Sequence, residues 1–320
     1  YIETILSEVP ECGTVTSQWN GYELNKIFGI EEPNIKDLFN DEEWSCVVDR
    51  VRKSEFWLHD WDYANAIVSA LNAEKPELNL EYDDPWKSYK DIAKTRKGKI
   101  RKNLSWIKKT ALWYHFSRFK DMLNEEALVK KEKEWMDKLF YKDSRNLYCG
   151  FTLRFRYRNG ALERMENQYR KCFVFPELDD KNQITANEIK ACEAVAVHAR
   201  RGDMLSYNGK YYKYGYFVRA IRFIKHNVTN PVFYIFCDAG STEWCKENLA
   251  ILGLDKKTDI IRFVDWNKGL NSYKDMQLMA MCKHNVVTNS SFGLWGAWLN
   301  PNKDKITCSP EIMMNTTNHF

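Results

Sequence analysis

The sequence predicts an α/β protein whose C-terminal half carries a parallel sheet. After residue 185, short apolar runs alternate with segments of helical periodicity, the pattern of βαβ units. Each of the first four apolar runs also ends in a polar cluster, and in an open parallel sheet ligands bind beyond the carboxyl ends of the strands. A length of 320 residues suits two medium domains. Hydrophobic residues at 44% and charged residues at 29% exclude disordered and fibrous classes. No apolar run approaches the roughly 20 residues of a membrane-spanning helix.

The N-terminal half is the less regular. Tyr63–Ala73 reads as a helix. Ile100, Leu104, Ile107, Ala111 and Tyr114 fall at helical spacing inside a basic stretch, so a helical insertion is expected over 87–140. From Lys87 to Lys120, twelve Lys or Arg face the single acid Asp91, a local charge of +11 that leaves −7 for the rest of a +4 chain. Trp106, Trp113 and Phe116 interleave with the cations, as in helices lying on anionic lipid. A solvated helix face fits the same residues equally well, and RNA binding is a third reading. Gly150–Arg158 alternates apolar and polar and reads as a half-exposed strand. The domain boundary is expected near Phe175–Gln183, giving domains 1–180 and 181–320.

Beyond it, Thr185 with Glu188 reads as a capping box for a helix. Ala194–His198 is the first strand, Tyr211–His226 a helix and Val232–Cys237 the second strand. Ser241–Ile251 reads as a helix capped by Ser241. Ile260–Val264 is the third strand, Ser272–Lys283 a helix, Asn285–Thr288 the fourth strand, Ser291–Leu299 a helix and Lys305–Cys308 a fifth strand.

The strand exits carry the candidate site. The first is His198-Ala199-Arg200-Arg201-Gly202-Asp203, the second opens on Asp238-Ala239-Gly240-Ser241, the third is Asp265 to Gly269, and the fourth is Asn289-Ser290-Ser291-Phe292-Gly293. Ser290 and Ser291 sit where a helix begins, and free N–H groups with the helix dipole favour an anion there. The planar fork of Arg200 or Arg201 suits a diphosphate. Either exit alone reads as an N-cap or a surface ion pair; both on one sheet edge point to a nucleotide.

Other motifs carry less. Asp60-Trp61-Asp62 is a D-x-D, a metal-diphosphate pattern, but it precedes a helix and fits a cap. Arg201-Gly202-Asp203 is an adhesion tripeptide already explained as a strand exit. His115, His226 and His284 lack metal-ligand spacing. The nine cysteines are odd in number, lack CxxC spacing and often sit in apolar runs, so buried free thiols in a reducing compartment are expected. Asn103, Asn227, Asn289 and Asn315 head N-x-S/T triplets, with Asn289 in the candidate site. The Trp-rich region of Trp44, Trp57 and Trp61 reads as core before it reads as a sugar platform.

At these residues the sequence resembles the α-1,2-fucosyltransferases, glycosyltransferase family 11. His198-Ala199-Arg200-Arg201-Gly202-Asp203 is similar to that family's HxRRxD motif. Phe233–Leu249 is similar to its strand, aspartate and W-x-K-E-N-L helix, and Phe263–Asn300 to its long C-terminal block. Asn20–Phe28 resembles a segment common in bacterial members. The resemblance implies a GT-B-like arrangement of two Rossmann-like domains facing across a cleft, the first on the acceptor side and the second binding GDP-fucose. It implies an inverting, metal-independent transfer of L-fucose from GDP-fucose to a galactose 2-hydroxyl of a glycan or lipid-linked oligosaccharide, with no cofactor and no nucleic acid.

By the same resemblance, His198 lies beside the nucleotide, Arg200 binds the β-phosphate with Arg201 nearby, and Asp238 contacts the guanine. Ser290, Ser291 and Phe292 line the phosphates and the fucose. Asp203 is an available general base, or equally a partner orienting an arginine. A cytoplasmic protein, docked at the inner membrane face through 87–120, is expected. The family usually opens with a strand and a G-x-G-N-Q loop, whereas this chain starts at Tyr1 past that point, so an upstream segment is expected to be missing. It has Asp238-Ala239 where relatives often have two acids, and Gly293-Leu294-Trp295-Gly296 where they often have S-W-W-G. A nucleotide-sugar-binding relative without catalysis is the alternative.

Overall fold

The computed structural model describes residues 1–12, 22–59, 62–83, 116, 146–148 and 161–310. The expected strand at 150–158, the basic segment 87–120 apart from Phe116, and Asp60 with Trp61 lie outside the described residues. The chain divides into two compact units, Tyr1–Thr16 with Glu32–Phe151, and Ser17–Glu31 with Thr152–Phe320. The first helix, α1 (Leu24–Phe28), belongs to the second unit and ends at Gly29, whose φ of 63° closes its C-terminus.

The first unit is built on α2 (Asp41–Lys53) and α3 (Tyr63–Glu74). Asn40 starts α2 by accepting from the Glu42 and Glu43 amides, while the Glu43 carboxylate accepts from the Asn40 amide. Acids fill the first turn and bases the last, matching the helix dipole. Trp44, Val47, Val48 and Val51 form the buried stripe, packed with Ile5, Val9, Phe56, Ile67 and Leu71. Strand β1 (Glu81–Asp83) pairs in parallel with β2 (Asn146–Tyr148).

The second unit holds the predicted sheet. In chain order it comprises α4 (Ala161–Cys172), α5 (Asp180–Lys190), β3 (Glu193–Ala199), α6 (Leu205–Lys213), α7 (Tyr216–Asn227), β4 (Pro231–Cys237), α8 (Thr242–Glu247), β5 (Ile260–Val264), α9 (Tyr273–Met281), β6 (His284–Val286), α10 (Ser291–Leu299) and β7 (Thr307–Cys308). The strands are all parallel, in the order β5-β4-β3-β6-β7. Every residue of β3 from Ala194 to Ala199 is buried, as expected of a central parallel strand covered on both faces. Val195 and Val197 face Phe233, Ile235 and the α7 stripe of Phe217, Ile221 and Ile224. Ala194 and Ala196 face the other layer, with Ile189 of α5, Leu278 and Met279 of α9, and Ala297 of α10.

Three local expectations are corrected. The helix expected over Tyr211–His226 is two helices, because Gly215 adopts φ 70° and breaks it. Thr185 lies inside α5; Asp179 is its cap, accepting from the Asn182 amide at 3.0 Å. Ser241 does not cap α8, which stops at Glu247; its hydroxyl turns to Asp238.

After α8 the chain turns at Gly253, with φ +74° and so close to α7 that a Cβ would stand 2.8 Å from the Val218 Cα. Left-handed strain and an overpacked backbone then act together. Gly253→Ala is expected to cost roughly 2–4 kcal/mol, read as a lowered urea midpoint.

Candidate functional site at the switch point of the sheet

The strand order fixes where a ligand can sit. From β3 the chain adds β4 and β5 on one side, then crosses back to place β6 on the other. The crevice of such a sheet opens beyond the carboxyl ends of the two strands where the direction reverses, here β3 and β6. The exits at Arg200 and at Asn289 therefore stand side by side, and a hydrogen bond joins them: the Arg200 amide donates to Thr288 Oγ1 at 3.4 Å.

The loop after β3 is held along its backbone. The Arg200 carbonyl accepts from Asn208 Nδ2 at 2.9 Å and Tyr212 Oη at 3.0 Å, both from α6. The Arg201 and Gly202 amides donate to the two carboxylate oxygens of Asp238, at 2.7 and 2.9 Å. Burial raises the Tyr212 hydroxyl far above its usual range, so it stays a donor. The Arg201 guanidinium lies over the Trp244 ring, 3.4 Å from its centroid, with Tyr212 at 5.2 Å. Such a stacked cation is attracted by the ring faces. Asp203 lies in the short turn Gly202–Met204; its side chain is outside the described residues.

Opposite the loop, α10 begins. Ser290 occupies its N-cap position with no side-chain cap bond, and the Leu294 amide is the one that reaches back to the Ser290 carbonyl. The amides of Ser291, Phe292 and Gly293 precede it and have no intrahelical acceptor, which makes an anion-ready end. His198 is 3% exposed beneath this turn, its ring 5.7 Å from that of Phe292, and its Nδ1 has no hydrogen-bond partner among the described residues. Burial first, and the Arg200 charge second, pull its pKa down to about 3. The imidazole is thus neutral at physiological pH and offers both a donor and an acceptor. Asn289 is 5% exposed, so its triplet has no room for a glycan.

Sequence reasoning placed His198, Arg200, Arg201, Asp238, Ser290, Ser291 and Phe292 at the sheet's carboxyl edge, and the structure puts all seven at the β3, β4 and β6 exits. It missed the residues that hold the loop: Asn208, Tyr212, Trp244 and Thr288. None belongs to a strand-exit motif; the polar side-chain atoms of Asn208, Tyr212 and Thr288 serve main chain, and Trp244 offers its ring face. A second buried network lies by the β5 exit. Asn182 accepts from Trp266 Nε1 at 3.0 Å and Asn267 Nδ2 at 2.9 Å, and Asn267 Nδ2 also donates to Asp275 Oδ1 at 2.7 Å. Burial, opposed by the Asn267 bond and reinforced by nearby Asp265, pushes the Asp275 carboxyl up to about 7 from an ordinary 3.8.

Between pH 4 and 7 the folded state therefore keeps a proton that the unfolded chain gives up. Asp275 stabilises fully at low pH, and that contribution is lost as pH rises toward 7. His198, whose pKa falls on folding, works in the opposite sense from pH 3 to 6.5. Comparing wild type with Asp275→Asn cancels the histidine. The wild type's advantage should shrink by on the order of 2–4 kcal/mol from pH 4 to 7.5, measured by urea unfolding.

Among the described residues no group of three or more His, Cys, Asp or Glu could hold a metal ion, no helix is long and apolar enough to cross a membrane, and eight cysteines carry free thiols. An open parallel sheet with an arginine loop beside a helix N-terminus at its switch point defines an α/β protein with an anion-ready crevice. The chain belongs to glycosyltransferase family 11, whose family model matches residues 119–317. Over 127 residues it is 34% identical to the alpha-1,2-colitosyltransferase of Escherichia coli, covering 38% of this chain and 41% of that protein. The O-antigen biosynthesis glycosyltransferase WbnK of Escherichia coli is 32% identical over 36% of this chain and 37% of its own. Human galactoside alpha-(1,2)-fucosyltransferase 1 is 30% identical over 33% of this chain and 28% of its own. The matched region spans less than half of each of these relatives.

Proposed function

We propose that the protein is an α-1,2-fucosyltransferase that moves L-fucose from GDP-fucose to a galactose 2-hydroxyl with inversion. The observation that carries this reading is the convergence of Arg200, the first turn of α10 and the neutral His198 on one crevice. As the acceptor oxygen bonds to the anomeric carbon, the bond to GDP breaks and negative charge grows on the diphosphate. A fixed guanidinium and oriented amides facing that charge stabilise it more in the transition state than before it. Charge is thereby met without a metal. Asp203 takes the acceptor proton in this reading, or orients an arginine. The GT-B arrangement, with the first unit contributing the acceptor side, belongs to the same proposal, as does docking of 87–120 on anionic lipid at the inner membrane face.

The test is transfer from radiolabelled GDP-fucose to β-galactosides, with linkage analysis of the product and a metal chelator present. Colitose appears in one relative's name, so its GDP donor forms a second arm. A chelator-resistant α-1,2-fucoside is expected. GDP binding without any transfer would leave a non-catalytic nucleotide-sugar binder, and no binding of GDP would overturn the donor assignment.

A further inference from the structure

Asp238 stands at the exit of β4 and is 7% exposed. Its carboxylate is turned to the neighbouring loop. Oδ1 accepts the Arg201 amide at 2.7 Å; Oδ2 accepts the Gly202 amide at 2.9 Å and the Ser241 hydroxyl at 2.5 Å. Two consecutive amides converging on one carboxylate form a small anion nest, with each bond charge-assisted. The contact is close: a Cβ on Gly202 would stand 3.0 Å from Oδ2 and 3.2 Å from Cγ, so any larger residue would press on the carboxylate. One acceptor position, on Oδ1, remains unused by these bonds.

The same loop is gripped from its other side by Asn208 and Tyr212 on the Arg200 carbonyl. Trp244, six residues beyond Asp238, covers the Arg201 guanidinium. The β4 exit thus holds the two residues that follow Arg200, while Thr288, just past β6, holds the Arg200 amide. With its main chain fixed at both ends, the direction in which Arg200 leaves the loop is fixed as well.

We infer that Asp238 is a positioning residue for Arg200: it sets the arginine that meets the donor diphosphate by gripping the Arg201 and Gly202 amides, instead of reading the guanine base. The inference rests on the proposed donor site. Asp238→Asn keeps the shape but turns an NH2 group toward one of the two amides, so the loop loses an acceptor and gains a repelling donor. Arg200 is then no longer held in one direction.

The experiment is calorimetric titration of the full chain with GDP, IDP and guanosine, for wild type, Asp238→Asn, Arg200→Ala and the double variant. Positioning predicts that Asp238→Asn weakens GDP by about 10- to 100-fold. It leaves guanosine within a factor of two and keeps the GDP-to-IDP preference. In the Arg200→Ala background the same change has almost no further effect, because the residues act as a unit. In steady state kcat falls while the acceptor KM holds. Should Asp238→Asn fail to fold, Tyr212→Phe releases the Arg200 carbonyl from the opposite side, touches no base in any arrangement, and must reproduce the pattern.

Loss of the GDP-to-IDP preference with an unchanged gap between GDP and guanosine would identify a base-reading carboxylate and overturn the inference, leaving the donor site standing. Additive losses in the double variant would overturn it too. A wild-type chain that binds neither GDP nor guanosine would bring down the donor site, and this inference with it.

Discussion

Replacing Arg200 with alanine is expected to reduce transfer about 10³-fold or more while the chain stays folded. The separation is possible because backbone bonds of this residue hold the loop. Its amide meets Thr288 and its carbonyl meets Asn208 and Tyr212, and alanine retains all of them. What is removed is a permanent charge at the edge of the switch-point crevice. A net charge-assisted bond of about 1.5–3 kcal/mol lowers GDP affinity by roughly 10- to 100-fold. The larger kinetic loss comes from charge that appears only as the glycosidic bond breaks. Arg200→Lys should recover part of the affinity and little of the rate, since a point charge cannot make two parallel bonds to a diphosphate. A second readout is internal to the protein. Arg200 is one of two causes that depress the His198 pKa, so in Arg200→Ala the histidine should titrate closer to its usual 6.5, visible by NMR. Activity of Arg200→Ala within tenfold of wild type, at equal folded fraction, would sink the donor assignment.

The sheet was legible in the sequence because its central strands β3, β4 and β6 are buried on both faces. Runs such as Val232–Cys237 are then apolar throughout, and the helices between them carry one stripe each, as α7 does with Phe217, Ala220, Ile221 and Ile224. The exits were legible because an arginine pair and a serine pair at strand ends have few structural uses. Helix ends were less so. Nothing local distinguishes Thr185 from Asp179 as a cap, and the break at Gly215 depends on a glycine that a helix could have tolerated at modest cost. Roles inside the site were the least legible. Asp238 and Arg201 have the residue types expected of ligand-binding groups. Their described contacts are to the loop amides, to Ser241, and to Trp244 and Tyr212, and only the strand order reveals that those partners are adjacent. Residue type predicts which chemistry is possible at an exit, whereas tertiary contact decides how much of it is already spent.

The second large effect is expected at Gly293, where fold and site meet. A Cβ there would lie 2.4 Å from His198 Nδ1, 3.0 Å from Cγ and 3.2 Å from Cε1. One of the two must move. His198 cannot easily do so, because it is buried near the end of the central strand, in register with Phe236 of β4. The first turn of α10 must then lift away, carrying the Ser291 and Phe292 amides with it. Overpacking of this kind costs about 1–3 kcal/mol, and the upper end is expected for Gly293→Ala. The functional loss should exceed the stability loss, since misplacing a positioning group by about 1 Å can cost 10²-fold. Gly240→Ala is the control: it sits at the β4 exit with nothing within 4 Å of a built Cβ, and both stability and GDP binding should stay near wild type. Gly293→Ser belongs in the same series. Its Cβ would meet the same His198 atoms, so serine should behave as alanine does. If thermal midpoint and GDP affinity both survived Gly293→Ala, the histidine would have to be free to turn in its pocket, and the rigid, unpartnered Nδ1 would lose its claim to a place in the donor site.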